Sequence, residues 1–172
     1  RIVLFKNNLR VNDNPVLFNA SRNGKILPVY IHDTHNTKKT IGSASKYWLH
    51  HALKSLNTNL SNKIHFYRGD SVSILDVLIA RYSVKSVYIE NPYTNDDLEI
   101  YRKLHYHLKK IGVELRNYNC SLLWEPNSIL KKDNTPYKVF TPFYRRGCLQ
   151  FTEPDGPVGT PGPMNFLETK NL

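Results

Sequence analysis

Short apolar segments alternate along this chain with longer segments of helical period. Five of them are rich in β-branched and aromatic residues, which is typical of strands. In chain order they read RIVLF, KILPVYI, IHFYRG, SVYIE and, more weakly, VELRNY. Between them, apolar residues recur at spacings of three and four, which predicts helices. The second helical segment, SASKYWLHHALKSLNTNL, carries a wide apolar stripe that runs from Ala44 through Trp48 to Leu56.

The regular alternation of strands and helices favours right-handed βαβ units. We therefore predict an α/β fold, with a Rossmann-like, doubly wound, five-stranded parallel sheet and helices on both faces. Helix-end residues agree with this order. Asp13 or Asn14 is predicted to cap the first helix and Asn95 or Asp96 the fourth, while Gly112 is predicted to end the fourth.

In a sheet of this kind, ligands bind outside the carboxyl ends of the strands, where the strand order reverses. The predicted strands end near residues 6–9, 31–33, 68–69 and 90–93. A small-molecule site should be built from these loops. His32 and Asp33 stand at one such strand end, where a ligand role competes with a structural one.

Lysine and arginine number 24 and aspartate and glutamate 14, giving a net charge of +10 and a pI of about 9.6. Such a balance draws a protein towards phosphate backbones or anionic surfaces, although solvated lysines on helix faces explain most of it. No apolar run of about eighteen residues exists, so we expect no membrane partner. The expectation is a cytoplasmic monomer, whose two cysteines are buried thiols of a reducing compartment.

The familiar catalytic motifs are missing from the sequence. The first predicted strand leads into neither GxGxxG nor GK[S/T], and no nucleophile elbow follows any strand. The seven histidines and two cysteines do not have the spacing of metal ligands. We therefore predict no catalytic residue and no metal-binding residue in this chain.

Three segments resemble motifs of the DNA photolyase and cryptochrome family. FKNNLRVNDNPVL resembles that family's opening, with Lys6 in place of its arginine and Asn8 in place of its aspartate. GSASKYWLHHALKSL is similar to its second helix, and YKVFTPFYRR to a signature that begins a long connection between two domains. The three motifs occur in the family's order and spacing, up to about Gln150.

The resemblance implies the N-terminal part of a deoxyribodipyrimidine photolyase, a light-dependent DNA repair enzyme that splits UV-induced pyrimidine dimers. Residues 1–126 would form the antenna-binding domain, and residues 127–172 the connection to a C-terminal helical FAD domain outside this chain. That helical domain, and UV-damaged DNA through the full-length protein, are the implied partners. The domain would bind, or once have bound, a light-harvesting pigment and would not be catalytic alone.

The pigment implied by the resemblance is a reduced folate, methenyltetrahydrofolate, or a deazaflavin, and an empty site stays an alternative. Lys39 stands where folate-binding members have a histidine, and Asn7 where deazaflavin-binding members have an arginine. The implied pigment contacts, together with the arginine beside the sheet edge, are Asn7, Arg10, Lys39, Lys46, Glu90, Asn95 and Asp96.

Two other functions stay open at this point. One is a cryptochrome-type blue-light sensor, which shares the scaffold and is separated from photolyases by residues outside this part of the chain. The other is an unrelated α/β nucleotide-binding module, which would require a phosphate-binding loop.

Overall fold

A computed structural model describes residues 1–22, 24–35, 41–151 and 153–169. Five parallel strands form one sheet in the order β3-β2-β1-β4-β5. The strands are β1 (Ile2–Phe5), β2 (Leu27–Asp33), β3 (His65–Gly69), β4 (Ser86–Glu90) and β5 (Glu114–Tyr118). The main helices are α1 (Pro15–Ser21), α2 (Ser43–Asn59), α3 (Ser71–Tyr82) and α4 (Asn95–Lys110). The predicted α/β fold with a five-stranded parallel sheet is confirmed.

The chain forms two compact units. The sheet unit contains the described residues of 1–120 and 158–169, and the small unit contains the described residues of 121–157. The sheet unit has one apolar core on each face of the sheet. Leu75 and Leu104 join one core from α3 and α4. Leu17 and Leu56 join the other from α1 and α2.

Side-chain caps begin three of these four main helices. Asn14 Oδ1 accepts the N–H of Leu17 at 3.0 Å and begins α1, as predicted. Thr94 caps α4, so the prediction of Asn95 or Asp96 was wrong by one residue. The structure places both residues in the first turn of the helix. There the helix dipole stabilises the negative charge of Asp96. Gly112 follows α4 with a φ of +72°, a conformation that glycine adopts without strain.

The apolar stripe of α2 is fully buried against the sheet only in its second half, while Leu49 and Leu53 are partly buried. Leu56 is the fully buried residue of the helix. Trp48, which lies two turns earlier, is 64% exposed, and its neighbour Tyr47 is 70% exposed. The first half of α2 therefore leaves space between itself and the sheet.

Residues 158–169 return to the sheet unit as an extended strap. Phe166 forms a parallel bridge with Ile26, and both flanking backbone hydrogen bonds are 2.8 Å long. At the start of the strap, Val158 donates its N–H to the Asp13 carboxylate at 3.0 Å. A Pro/Gly-rich composition predicts only a linker here, so the packing of this strap is a feature that the sequence does not reveal.

The small unit contains the aromatic and basic segment near residues 137–146. Tyr137 and Phe143 meet edge to face, with ring centroids 6.1 Å apart. Phe140 and Tyr144 stack at 5.8 Å, and Phe140 is 73% exposed. The Tyr137–Phe143 pair is thus half-buried, while the Phe140–Tyr144 pair is exposed.

Cys120 and Cys148 are free and buried, as predicted. Burial raises the pKa of the Cys120 thiol above its ordinary value. Within the described part of the chain, no helix has both the length and the apolar character needed to cross a membrane.

Candidate functional site

The strand order reverses between β1 and β4. The chain moves outward from β1 through β2 to β3, then crosses back to β4 on the other side of β1. Loops that leave neighbouring strands in opposite directions open a crevice at their carboxyl ends. A cavity of about 890 Å³ lies at this edge of the sheet unit. Its volume falls within the range of about 300–1,000 Å³ that is usual for small-molecule sites.

The walls of the cavity are largely apolar and aromatic. On the α4 side, Ile89, Ile100 and Tyr101 line the cavity. On the α2 side, Tyr30 and Trp48 line it. The first half of α2 thus forms one wall of the cavity. Such walls suit a flat conjugated ring, because aromatic faces stack on one another.

Glu90, the last residue of β4, fixes the turn that follows β1. Its carboxylate accepts the backbone N–H of Asn7 at 2.8 Å and that of Asn8 at 3.1 Å. Burial raises the pKa of Glu90 above its ordinary value, although both backbone hydrogen bonds act in the opposite direction. The carboxylate therefore joins the two strands that border the crevice.

A second contact between strand and helix lies beside Glu90. Lys6 forms an ion pair with Asp97 of α4. Asp97 also donates its N–H to Thr94 Oγ1 at 3.2 Å and accepts a hydrogen bond from Thr94 in return. Burial by itself raises the pKa of Asp97, but the hydrogen bonds from Lys6 and Thr94 outweigh it and hold the pKa below its ordinary value.

Replacing Asp97 with asparagine is expected to remove a stabilising contribution of about 1 kcal/mol at pH 7. Since the folded pKa lies below the ordinary value of 3.8, this contribution is present above pH 3.8 and is lost as the pH falls through the folded pKa. Urea unfolding of both proteins between pH 2.5 and 7 checks this. The free energies of unfolding of the two proteins should converge at the acid end. A constant difference across the pH range would contradict the lowered pKa of Asp97.

Asp33, at the end of β2, is engaged by α3. It accepts the hydroxyl of Ser71 at 2.6 Å and the N–H of Ser71 at 3.3 Å. It also accepts the N–H of His35 at 2.9 Å. This carboxylate therefore holds the first residue of α3 and orders a turn, which is the structural role that competes with ligand binding.

The predicted contact residues divide into two groups. Asn7, Lys46 and Glu90 line the cavity. Arg10 does not: its guanidinium donates to the carbonyl oxygens of Asp13 and Cys120 at 2.8 and 3.1 Å.

The α4 residues among the predicted contacts lie outside the cavity wall. Asn95 is the first residue of the helix and Asp96 follows it, and neither is among the described residues that line the cavity. Lys39 falls outside the described residues. The roles of all seven residues in binding stay predictions.

Lys6 and Arg68 also line the cavity and lie in the strand-end loops predicted for the site, whereas Trp48 was not among the predicted contacts. The sequence did offer a reason to expect Trp48 at the site. It lies in the first half of an amphipathic helix, close to the strand ends that border the cavity. The ion pair between Lys6 and Asp97 had no such signal, because the two residues stand 91 residues apart in the chain. No group of three or more histidine, cysteine, aspartate or glutamate side chains in the described part of the chain could hold a metal ion.

Comparison with known proteins gives a consistent result. The family model described as DNA photolyase matches residues 1–162. The chain is 32% identical over 165 residues to the deoxyribodipyrimidine photo-lyase of Agrobacterium fabrum, covering 93% of this chain and 34% of that protein. It is 28% identical to cryptochrome-1 of Arabidopsis thaliana, covering 93% of this chain and 24% of that protein.

A solved structure has the same fold over nearly the whole chain. The crystal structure of a class III photolyase from Agrobacterium tumefaciens superposes with a TM-score of 0.87 and 29% identity. The match covers 98% of this chain and 35% of that one. The chain therefore spans about a third of the length of this photolyase and of the Agrobacterium fabrum relative.

Proposed function

Because the chain belongs to the DNA photolyase family, and matches its N-terminal α/β domain, we propose that the cavity at the β1/β4 crevice binds a light-harvesting pigment. The observation that carries this proposal is an aromatic-walled cavity of about 890 Å³ at the point where the strand order reverses. The pigment is a reduced folate or a deazaflavin.

The residues present fit such a group. Trp48 and Tyr101 offer aromatic faces, and Asn7 and Asn91 supply amide groups at the strand ends. Glu90 holds the turn after β1 and so sets the shape of the crevice. When bound, the pigment would absorb light and pass the energy to FAD, which we place in a helical domain outside this chain. The role of this chain is to hold the pigment in a fixed orientation and shield it from water.

For the whole protein we propose light-driven repair of pyrimidine dimers in DNA. The support is a relative named deoxyribodipyrimidine photo-lyase, which is 32% identical, and the net charge of +10, which suits a phosphate-rich partner. In this proposal residues 127–172 connect to the helical domain, and the chain alone performs no repair. A cryptochrome-type sensor is the second candidate, because cryptochrome-1 of Arabidopsis thaliana is 28% identical.

The test is equilibrium dialysis of the 172-residue chain against methenyltetrahydrofolate and, separately, a deazaflavin. We expect one of them to be retained at one equivalent. Ser45 lines the cavity on α2, so Ser45→Trp should fill it and lower retention at least tenfold.

Ser55→Trp provides the matched control, because Ser55 is exposed on the same helix and lies outside the cavity. This variant should bind like the original chain. Retention of neither pigment, or equal loss in both variants, would contradict a pigment site in this cavity.

A further inference from the structure

Three basic side chains converge on the α2 side of the cavity. His32 and Arg68 are register partners at the ends of β2 and β3, so they point to the same face of the sheet. Tyr30 and Phe66, two residues earlier, lie on that face with ring centroids 6.4 Å apart. Lys46 approaches from α2, and all three basic side chains line the cavity.

The acidic side chains of the cavity are already engaged. Asp33 accepts hydrogen bonds from Ser71, Glu90 accepts two backbone N–H groups, and Asp97 is paired with Lys6. Neither Lys46 nor Arg68 has an ion pair or a side-chain hydrogen bond with another described residue. Lys46 and Arg68 therefore make no direct ion pair with the described acids that share the cavity.

Helix α2 strengthens this asymmetry. Its 17 residues, SASKYWLHHALKSLNTN, contain no aspartate and no glutamate. Residues 43–49 of this helix, which include the lining residues Ser45, Lys46 and Trp48, therefore bring only neutral or basic groups to the cavity. An anion entering here meets cations and no competing carboxylate from the helix.

We propose that His32, Lys46 and Arg68 form an anion subsite that binds the acidic tail of the pigment. This inference rests on the proposed pigment site. The conjugated ring would then lie towards β1 and β4, beside Asn7 and Glu90. Neighbouring strands are about 4.8 Å apart, so the ends of β1 and β3 are separated by about 10 Å. The site thus selects an elongated ligand with a ring at one end and a phosphate or carboxylate at the other.

The physical basis is charge-assisted hydrogen bonding. Guanidinium and ammonium groups bind phosphate and carboxylate oxygens more strongly than neutral donors do. Arg68 and Lys46 are exposed at the cavity rim, so screening by salt should weaken the contact. A tail anion should raise affinity by about ten- to hundredfold at low ionic strength.

Two pairs of probes isolate the tail. FMN and riboflavin share a ring and differ by one phosphate. The triglutamate and monoglutamate forms of methenyltetrahydrofolate share a ring and differ in their carboxylates. Binding is measured by quenching of Trp48 fluorescence in a Trp124→Phe background, which needs no enzymatic activity.

We expect the more anionic member of at least one pair to bind at least tenfold tighter in 20 mM salt, with much of that ratio lost in 500 mM salt. The pair that shows the preference identifies the tail as phosphate or glutamyl carboxylate. Arg68→Ala and Lys46→Ala should each reduce the preference at least threefold.

Matched controls remove the same charges elsewhere. Arg102 and Lys54 are exposed on α4 and α2 and do not line the cavity, so Arg102→Ala and Lys54→Ala should keep the full preference. Equal affinity within both pairs would overturn the anion subsite and leave the pigment site standing. Failure of all four probes to bind, together with retention of neither pigment in the dialysis experiment, would overturn both.

Discussion

Replacement of Glu90 by alanine is expected to lower the free energy of unfolding of the sheet unit by about 1–3 kcal/mol. The reason is the buried backbone of Asn8, whose N–H loses its acceptor when the carboxylate is removed. The N–H of Asn7 loses an acceptor as well, although that contact is exposed. Because the turn after β1 is then no longer tied to β4, pigment binding should fall at least tenfold. Urea unfolding followed by far-UV circular dichroism, and equilibrium dialysis, measure the two effects.

Glu90→Gln is the matched control, since it keeps the length of the side chain and one acceptor oxygen. It should be destabilised less than Glu90→Ala at pH 7. An alanine variant as stable as the original chain, with unchanged pigment binding, would show that the turn does not depend on this carboxylate.

The pH dependence of Glu90 gives a second measurement. Burial raises its folded pKa above the ordinary value of 4.5, so the folded state binds the proton more readily than the unfolded state. The resulting stabilisation is fully present below pH 4.5 and is lost as the pH rises through the folded pKa. Glu90→Gln cannot titrate, so its stability relative to the original chain should improve between pH 4 and pH 7. A difference that does not change with pH would contradict the raised pKa.

The fold could be predicted from the sequence because its determinants are local. The strands β1 and β4 are short apolar runs with turn residues at their ends, and Asn14 stands directly before a proline at a helix start. These features act over a few residues, so periodicity and helix capping reveal them. The strand ends that border the cavity followed from the same reasoning, including Asn7 and Glu90.

The detail of the site could not be predicted, because it depends on contacts between distant segments. Glu90 accepts main-chain N–H groups of Asn7 and Asn8, and every non-proline residue carries such a group, so no residue type marks the partner. The exposure of Trp48 is a further case. Its spacing in α2 fits a core position, but Leu56 is the residue of this helix that is fully buried, while Leu49 and Leu53 are partly buried. Which half of an amphipathic helix packs is decided by tertiary structure.

The two walls of the cavity differ in charge and in internal contacts. The β1/β4 side is ordered by contacts within the protein. Glu90 accepts hydrogen bonds from the backbone, and Lys6 pairs with Asp97. The α2 side presents basic groups that lack partners among the described residues. A site that is preorganised at one end and open to a charged ligand at the other would fix the ring rigidly while the tail supplies affinity.

Replacement of Gly147 by alanine is expected to destabilise the small unit by about 1–3 kcal/mol, because the added methyl group has no space. A Cβ at this position would lie 2.6 Å from Ile129 Cγ2 and 3.3 Å from Tyr137 Cε2. Ile129 is 5% exposed and β-branched, so it cannot rotate out of the way easily. Fluorescence of Trp124 in a Trp48→Phe background follows unfolding of this unit.

A double-mutant cycle assigns the effect of Gly147→Ala to that contact. Ile129→Ala removes the methyl group that an alanine at position 147 would strike, and by itself should destabilise the unit by about 2–5 kcal/mol. The double variant should be more stable than the sum of the two single effects by at least about 0.5 kcal/mol, since each change relieves the other. Gly156→Ala, where no atom lies within 4 Å of the added carbon, should change stability by less than about 0.5 kcal/mol. Strict additivity in the cycle would mean that the close packing of Gly147 against Ile129 does not determine the stability of this unit.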